Sequence, residues 1–182
     1  FEYRYLFPVS EYIANYLKER KKLNYFIIEN DPVCLITGQD GMGKTTLILW
    51  LKNELMRYKD KLILDYVNKN TSFVDFIKLL IKPLLKKKEK FVISTNIFHI
   101  GKSALLIKDK SLRGIYESIY LRKKDLDFNY VKEFLNSRVK SKHLILLIDD
   151  FDQMPEQSSK LVNLLVNSDV NIQFVLAAVK SN

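Results

Sequence analysis

One cysteine and two histidines are all that 182 residues offer to thiol or imidazole chemistry. Cys34 alone cannot close an internal disulfide. One Cys with two His cannot complete a tetrahedral Cys/His zinc site. A reducing, intracellular setting is therefore expected, and the chain is read as cytoplasmic. Glycine (5) and proline (4) are scarce, which excludes collagen-like and linker-rich architectures. No run approaches 18 uncharged apolar residues, so no membrane span is expected, and no secretory leader pattern is visible. The first residue is Phe1 rather than Met, as in a piece of a longer protein.

What remains is ordinary for a folded domain. Hydrophobic residues make up 47% and charged residues 28%, enough to bury a core and too apolar for wholesale disorder. Lys and Arg outnumber Asp and Glu by 30 to 21, a net charge of +9. That excess permits a nucleic-acid or anionic-surface partner. It is also what a lysine-rich composition produces with no dedicated site.

Hydrophobic periodicity predicts alternating strands and helices. Residues 8–23 read as an amphipathic helix, with Ser10 as its cap. Val33–Thr37 reads as a buried strand running into Gly38, and 44–57 as a helix with Leu47, Leu51 and Leu55 on one face. Leu62–Val67 reads as a second strand, followed by a helix capped by Ser72 and reaching Leu84. The β-branched and aromatic segment 91–107 predicts a β-hairpin around Gly101-Lys102. Helices are expected near 111–121 and 129–139, a buried strand at 144–148, a helix opened by Pro155, and a last strand at 172–178. Strands alternating with helices imply a mainly parallel sheet covered on both sides. No linker or repeat divides it, so 1–182 is expected to form one domain, with 1–30 as a helical lead-in.

Gly38-Gln39-Asp40-Gly41-Met42-Gly43-Lys44-Thr45 fits G-x-x-x-x-G-K-[ST]. Backbone N–H groups must converge on phosphate oxygens, which needs a tight turn without side chains in the way. The helix that follows adds its positive end. Lys44 is placed to reach the β- and γ-phosphates, and the Thr45 hydroxyl to hold Mg²⁺. Gln39, Asp40, Met42 and Thr46 complete the expected nucleotide-contacting run. A chance match in this length is on the order of one in a hundred or rarer at average residue frequencies.

Such a loop needs a carboxylate to orient the metal. Asp149 follows five apolar residues, Leu144–Ile148, at the C-terminal end of a buried strand, where ligands sit in open parallel sheets. It is the candidate Walker B metal residue. Asp150 is the candidate for polarising the attacking water. Some 105 residues, from 44 to 149, separate the two motifs, with a strand and several helices between them. That spacing points to the additional-strand division of P-loop proteins. Asn68-Lys69-Asn70-Thr71 ends in Thr where a guanine-reading N-K-x-D motif has Asp, and reads as a loop. Cys34 is expected in the core, and His99 and His143 show no ligand pattern. Asp152 reads as solvated or as a helix-start residue. Lys86–Lys90 and Arg122-Lys123-Lys124 read as solvated faces. Arg57, Arg113, Arg122 and Arg138 are either arginine fingers or surface charges.

The run Gly38–Leu47 resembles the phosphate loop of STAND-type ATPases, the signal-transducing relatives of AAA+ proteins. Leu146-Leu147-Ile148-Asp149-Asp150 resembles their hydrophobic-Asp-Asp Walker B. The middle insert is similar to archaeal ATPases of that group, and the opening helix, strand and loop also resemble origin-recognition and DnaA-like initiators. The resemblance implies a three-layer α/β P-loop ATPase binding ATP and Mg²⁺, slow in isolation, that couples nucleotide state to conformational change or assembly. It implies an arginine from a neighbouring subunit or domain. It also implies a γ-phosphate sensor after the last strand, at Asn182 or Ser181, although Ala178-Val179-Lys180 replaces the common Thr-Thr-Arg. In AAA+ proteins a polar residue at the position of Asn68 holds the catalytic acid; a turn asparagine is the plainer reading. No α-helical lid is expected. Two rival readings share the motifs: a nucleotide-gated switch with negligible turnover, and a DNA-binding replication initiator or loader.

Overall fold

Four short aliphatic runs pair into one all-parallel sheet in the order β1-β4-β3-β2. They are β1 (Val33–Gly38), β2 (Lys61–Ile63), β3 (His143–Ile148) and β4 (Ile172–Val179). The computed structural model describes residues 16–58, 61–64, 67–95, 107–122, 125–139 and 143–179. Two compact units emerge: 1–70 with 143–154 and 172–182, and 71–142 with 155–171.

The first unit holds the sheet. β4 lies between β1 and β3, pairing Leu35 with Leu176 on one side and Ile148 with Leu176 on the other. This is the additional strand that the motif spacing implied. Parallel strands cannot be joined by tight turns, so each returns through a long crossover. Ile145, Leu147, Val175 and Ala177 pack against Leu47, Ile48, Trp50, Leu51 and Leu55 of α2 (Lys44–Leu55) and Leu23, Phe26 and Ile27 of α1 (Leu17–Glu29). The alternate residues Leu144, Leu146, Ile148, Phe174 and Leu176 are buried too. Burial of both faces is why β3 reads as an unbroken apolar run rather than an alternating one.

The lead-in helix departs from expectation. α1 runs on past Leu23 to Glu29, because Phe26 and Ile27 continue the stripe that Leu23 begins; it ends at Asn30 in the left-handed region (φ 59°). The expected helix start, from Pro8 with its cap Ser10, lies outside the described residues. Buried Gln173 ties this helix to β4, its Nε2 donating to the carbonyls of Phe26 and Asp31 at 3.0 Å each. β2 is shorter than expected, but its line continues: Val67 bridges Ile148, and its carbonyl accepts the Asp149 N–H at 2.8 Å.

The second unit is helical: α3 (Phe73–Ile81), α4 (Lys87–Thr95), α5 (Lys110–Ile119), α6 (Phe128–Arg138) and α7 (Glu156–Val166). The Ser72 cap is as expected, and the structure adds Asp109 and Asp127 as caps that the sequence reading did not name. Ser72 Oγ accepts the Asp75 N–H, Asp109 that of Leu112 and Asp127 that of Asn129. The hairpin expected over 91–107 is contradicted where the structure describes it, since 91–95 belong to α4. The Lys86 N–H donates to Glu89 Oε2 at 2.7 Å, and Lys87–Lys90 are good helix formers. A helix nucleated there carries the β-branched run with it. Residues 96–106 lie outside the described residues. A mostly apolar cleft of about 730 Å³ belongs wholly to this unit, lined by α3, α4 and Tyr120.

Arg138 joins three elements of this unit. Its Nη2 donates to Glu89 Oε1 at 2.6 Å and Asp109 Oδ2 at 2.8 Å, and its side chain keeps 10% of its exposure. Burial pushes the Asp109 carboxyl up, but the Leu112 N–H and Arg138 outweigh it and hold it below the ordinary range. A depressed carboxylate stabilises the fold above its unfolded pKa, and that contribution is lost as pH falls through the folded value. Arg138→Met is therefore expected to cost about 2–3 kcal/mol by urea denaturation at pH 7 and clearly less at pH 3. An equal cost at both pH values would remove the ion pair as its cause.

Candidate functional site

Gly38 ends β1 and Lys44 opens α2, so the loop 39–43 spans the C-terminal edge of the sheet. Gly41 and Gly43 take φ 78° and 77°, a region that L side chains rarely adopt. The turn is closed by the Met42 N–H donating to the Gln39 carbonyl at 3.3 Å. Lys44 reaches back over it, its Nζ donating to the carbonyls of Gly38 at 2.9 Å and Gln39 at 3.0 Å. Asp40 lies 3.9 Å from that ammonium but is 89% exposed, so the pair contributes little.

The two motifs meet across 104 positions. Thr45 Oγ1 donates to Asp149 Oδ2 at 2.5 Å. Asp149 is 2% exposed, and its Oδ1 accepts the Asp150 N–H at 3.0 Å. A hydroxyl and a carboxylate are hard oxygen donors of the kind Mg²⁺ takes together with substrate phosphates and water. No group of three or more His, Cys, Asp or Glu that could hold a metal occurs among the described residues. The Thr45 hydroxyl and Asp149 carboxylate fit an ion shared with a phosphate.

Asp150 takes φ 49° in the left-handed region, which Asp tolerates better than most residues. Together with Asp40, Gly41, Gly43, Lys44, Thr45 and Thr46 it lines a cleft of about 260 Å³. Gly38 at the end of β1, and Gln39 and Met42 in the loop, are not in that lining. Met42 is 57% exposed. Asn182 and Ser181, the expected sensor residues, lie outside the described residues, as does His99.

The asparagine after β2 takes its plainer reading: Asn68 Oδ1 accepts the Asn70 N–H at 2.9 Å, an Asx-type turn. Its neighbour is the residue that sequence reasoning passed over. Lys69 Nζ stands 3.6 Å from Asp150 Oδ2 and donates to Gln153 Oε1 at 3.2 Å. Tyr16, inside the segment 8–23 read as an amphipathic helix, was also missed. Its hydroxyl donates to the Met42 carbonyl at 2.6 Å. Nothing local in the sequence marks either residue.

Several other candidates make contacts of their own. Arg113 donates through Nε and Nη2 to the Ile107 carbonyl at 2.9 and 2.7 Å. Arg57 pairs with Glu54 on an exposed surface. Asp152 accepts the Val179 N–H at 3.2 Å, tying the end of β4 to the turn after β3. Cys34, expected in the core, is only half-buried. β1 pairs with β4 on one side, and among the described residues nothing pairs with its other edge. Burial, with Asp31 nearby, pushes the thiol up.

A phosphate loop on β1, an acid on β3 and one strand between them define a nucleotide-binding P-loop ATPase of the additional-strand class. The family model for an AAA domain matches residues 28–181, and the chain belongs to that family. No curated protein matches it. No helix among the described residues is long and apolar enough to cross a membrane.

Proposed function

We propose that the chain binds ATP with Mg²⁺ in the cleft over Gly38–Thr46 and hydrolyses it slowly, coupling nucleotide state to a change of conformation or assembly. The observation that carries this is the Thr45–Asp149 hydrogen bond, which joins the loop to the acid. The loop N–H groups and Lys44 take phosphate charge, while Thr45 and Asp149 are the holders of Mg²⁺. That ion would supply neutralisation of charge on the β- and γ-phosphates. Asp150 orients water and accepts its proton as the water oxygen bonds to the γ-phosphorus and ADP leaves. Arg113 and Arg138 are engaged inside their own unit, and the arginine that steadies transferred charge is assigned to another subunit or domain, as the family resemblance implies.

The test is thermal melting with ATP·Mg²⁺ and with ADP, with phosphate release followed in the same samples. A ligand that binds the folded state raises the melting temperature by mass action. A rise with phosphate release is the expected result. A rise without release favours the switch reading, which the short reach of Asp150 and its pairing with Lys69 also support. No rise would end the proposal.

A further inference from the structure

Tyr16 lies outside the phosphate-loop motif yet holds it. Its hydroxyl donates to the Met42 carbonyl across 26 positions, and its ring packs against the core shared by α1 and α2. A Cβ placed on Gly43 would stand 2.8 Å from that hydroxyl oxygen, so the phenol occupies the space a side chain there would need. No cis peptide bond occurs among the described residues, and the C=O and N–H of a trans peptide point in opposite directions. The donor that captures the Met42 carbonyl therefore turns the Gly43 N–H away from Tyr16. Gly43 has the backbone freedom to let that peptide rotate, so without a tether its N–H direction is loosely set.

We propose that Tyr16 is a positioning residue for the phosphate nest. Its hydroxyl fixes the 42–43 peptide with the Gly43 N–H aimed at the bound phosphate, so the ligand does not have to order it. This rests on the nucleotide reading of the cleft above. It also couples the lead-in helix to the loop: a phosphate that needs the ordered peptide tightens Tyr16 on Met42, and a movement that withdraws Tyr16 weakens phosphate by the same factor.

The test uses Mg²⁺·ADP and Mg²⁺·pyrophosphate as probes, titrated calorimetrically at 15 °C into wild type, Tyr16→Phe and Lys44→Ala. Tyr16→Phe removes one hydroxyl and keeps the ring. It is expected to weaken both ligands roughly three- to tenfold, the worth of one hydrogen bond. A merely structural role would lower the unliganded melting temperature and leave both affinities alone. With ¹⁵N-glycine labelling, the Gly43 amide is expected to broaden or shift in unliganded Tyr16→Phe while that of Gly114 stays in place. Wild-type affinity in Tyr16→Phe overturns the proposal and leaves the nucleotide site standing, provided Lys44→Ala still loses binding. If wild type binds neither probe, the nucleotide reading fails and the role of Tyr16 with it.

Discussion

Lys44→Ala is expected to weaken ATP·Mg²⁺ by a hundredfold or more and to erase most of the ligand-dependent rise in melting temperature. The Nζ is tethered by two loop carbonyls at 2.9 and 3.0 Å and keeps only a tenth of its side-chain exposure, so it is already held at the phosphate cleft. A hydrogen bond to a charged group contributes about 1.5–3 kcal/mol, and losing one such contact inside a formed anion site costs on the order of 10–100-fold. On the proposed reading Lys44 meets two phosphates, which moves the estimate to the upper end. At a ligand concentration of 100 times Kd, wild type gains about 2.7 kcal/mol, or roughly 5–10 °C in a domain of this size. A hundredfold weaker site at the same concentration gains about 0.4 kcal/mol, a shift of roughly 1 °C. The unliganded melting temperature should barely move, since the carbonyls it leaves sit at a part-exposed loop. A variant that melts like wild type and still shows the full ligand shift would remove Lys44 from the site.

Asp150→Asn is expected to divide binding from turnover. It preserves size and tolerates the left-handed φ of 49°, so the turn after β3 and its hydrogen bond to Asp149 Oδ1 survive. What is lost is the carboxylate proposed to take the proton. Removing a general base costs about 10²–10⁴-fold in rate, while ADP affinity should stay within roughly twofold. Single-turnover phosphate release with ATP·Mg²⁺ in excess of Kd measures the first, and ADP titration the second. Lys69, 3.6 Å from the carboxylate, bears on the same step: its ammonium competes with water for it. Turnover in Asp150→Asn equal to wild type would assign the base elsewhere. A large loss of ADP affinity would mean that Asp150 shapes the cleft rather than the reaction.

The site was legible to the extent that its chemistry is local. Gly38–Thr45 is a contiguous motif, and its glycine positions follow from the turn it must make. Asp149 was found because five apolar residues before it mark a strand end, not because anything in the sequence ties it to Thr45. The hairpin over 91–95 failed for a related reason. β-branched composition is a weak prior, and the Glu89 contact with the Lys86 N–H starts a helix that overrides it. Cys34 was misplaced because an apolar run reads alike in a central strand and an edge strand.

The sequence by itself determined the fold class, the phosphate loop, the Ser72 cap and the two acids, because each depends on residues within a few positions of one another. The order β1-β4-β3-β2 decided the rest. Only the pairing of distant strands brings Thr45 to Asp149, sets Lys69 beside Asp150 and leaves β1 with one described partner. Only the packing of α1 on α2 lays Tyr16 over Met42. Such contacts join residues tens of positions apart, and their energy comes from burial and register, which no local pattern encodes.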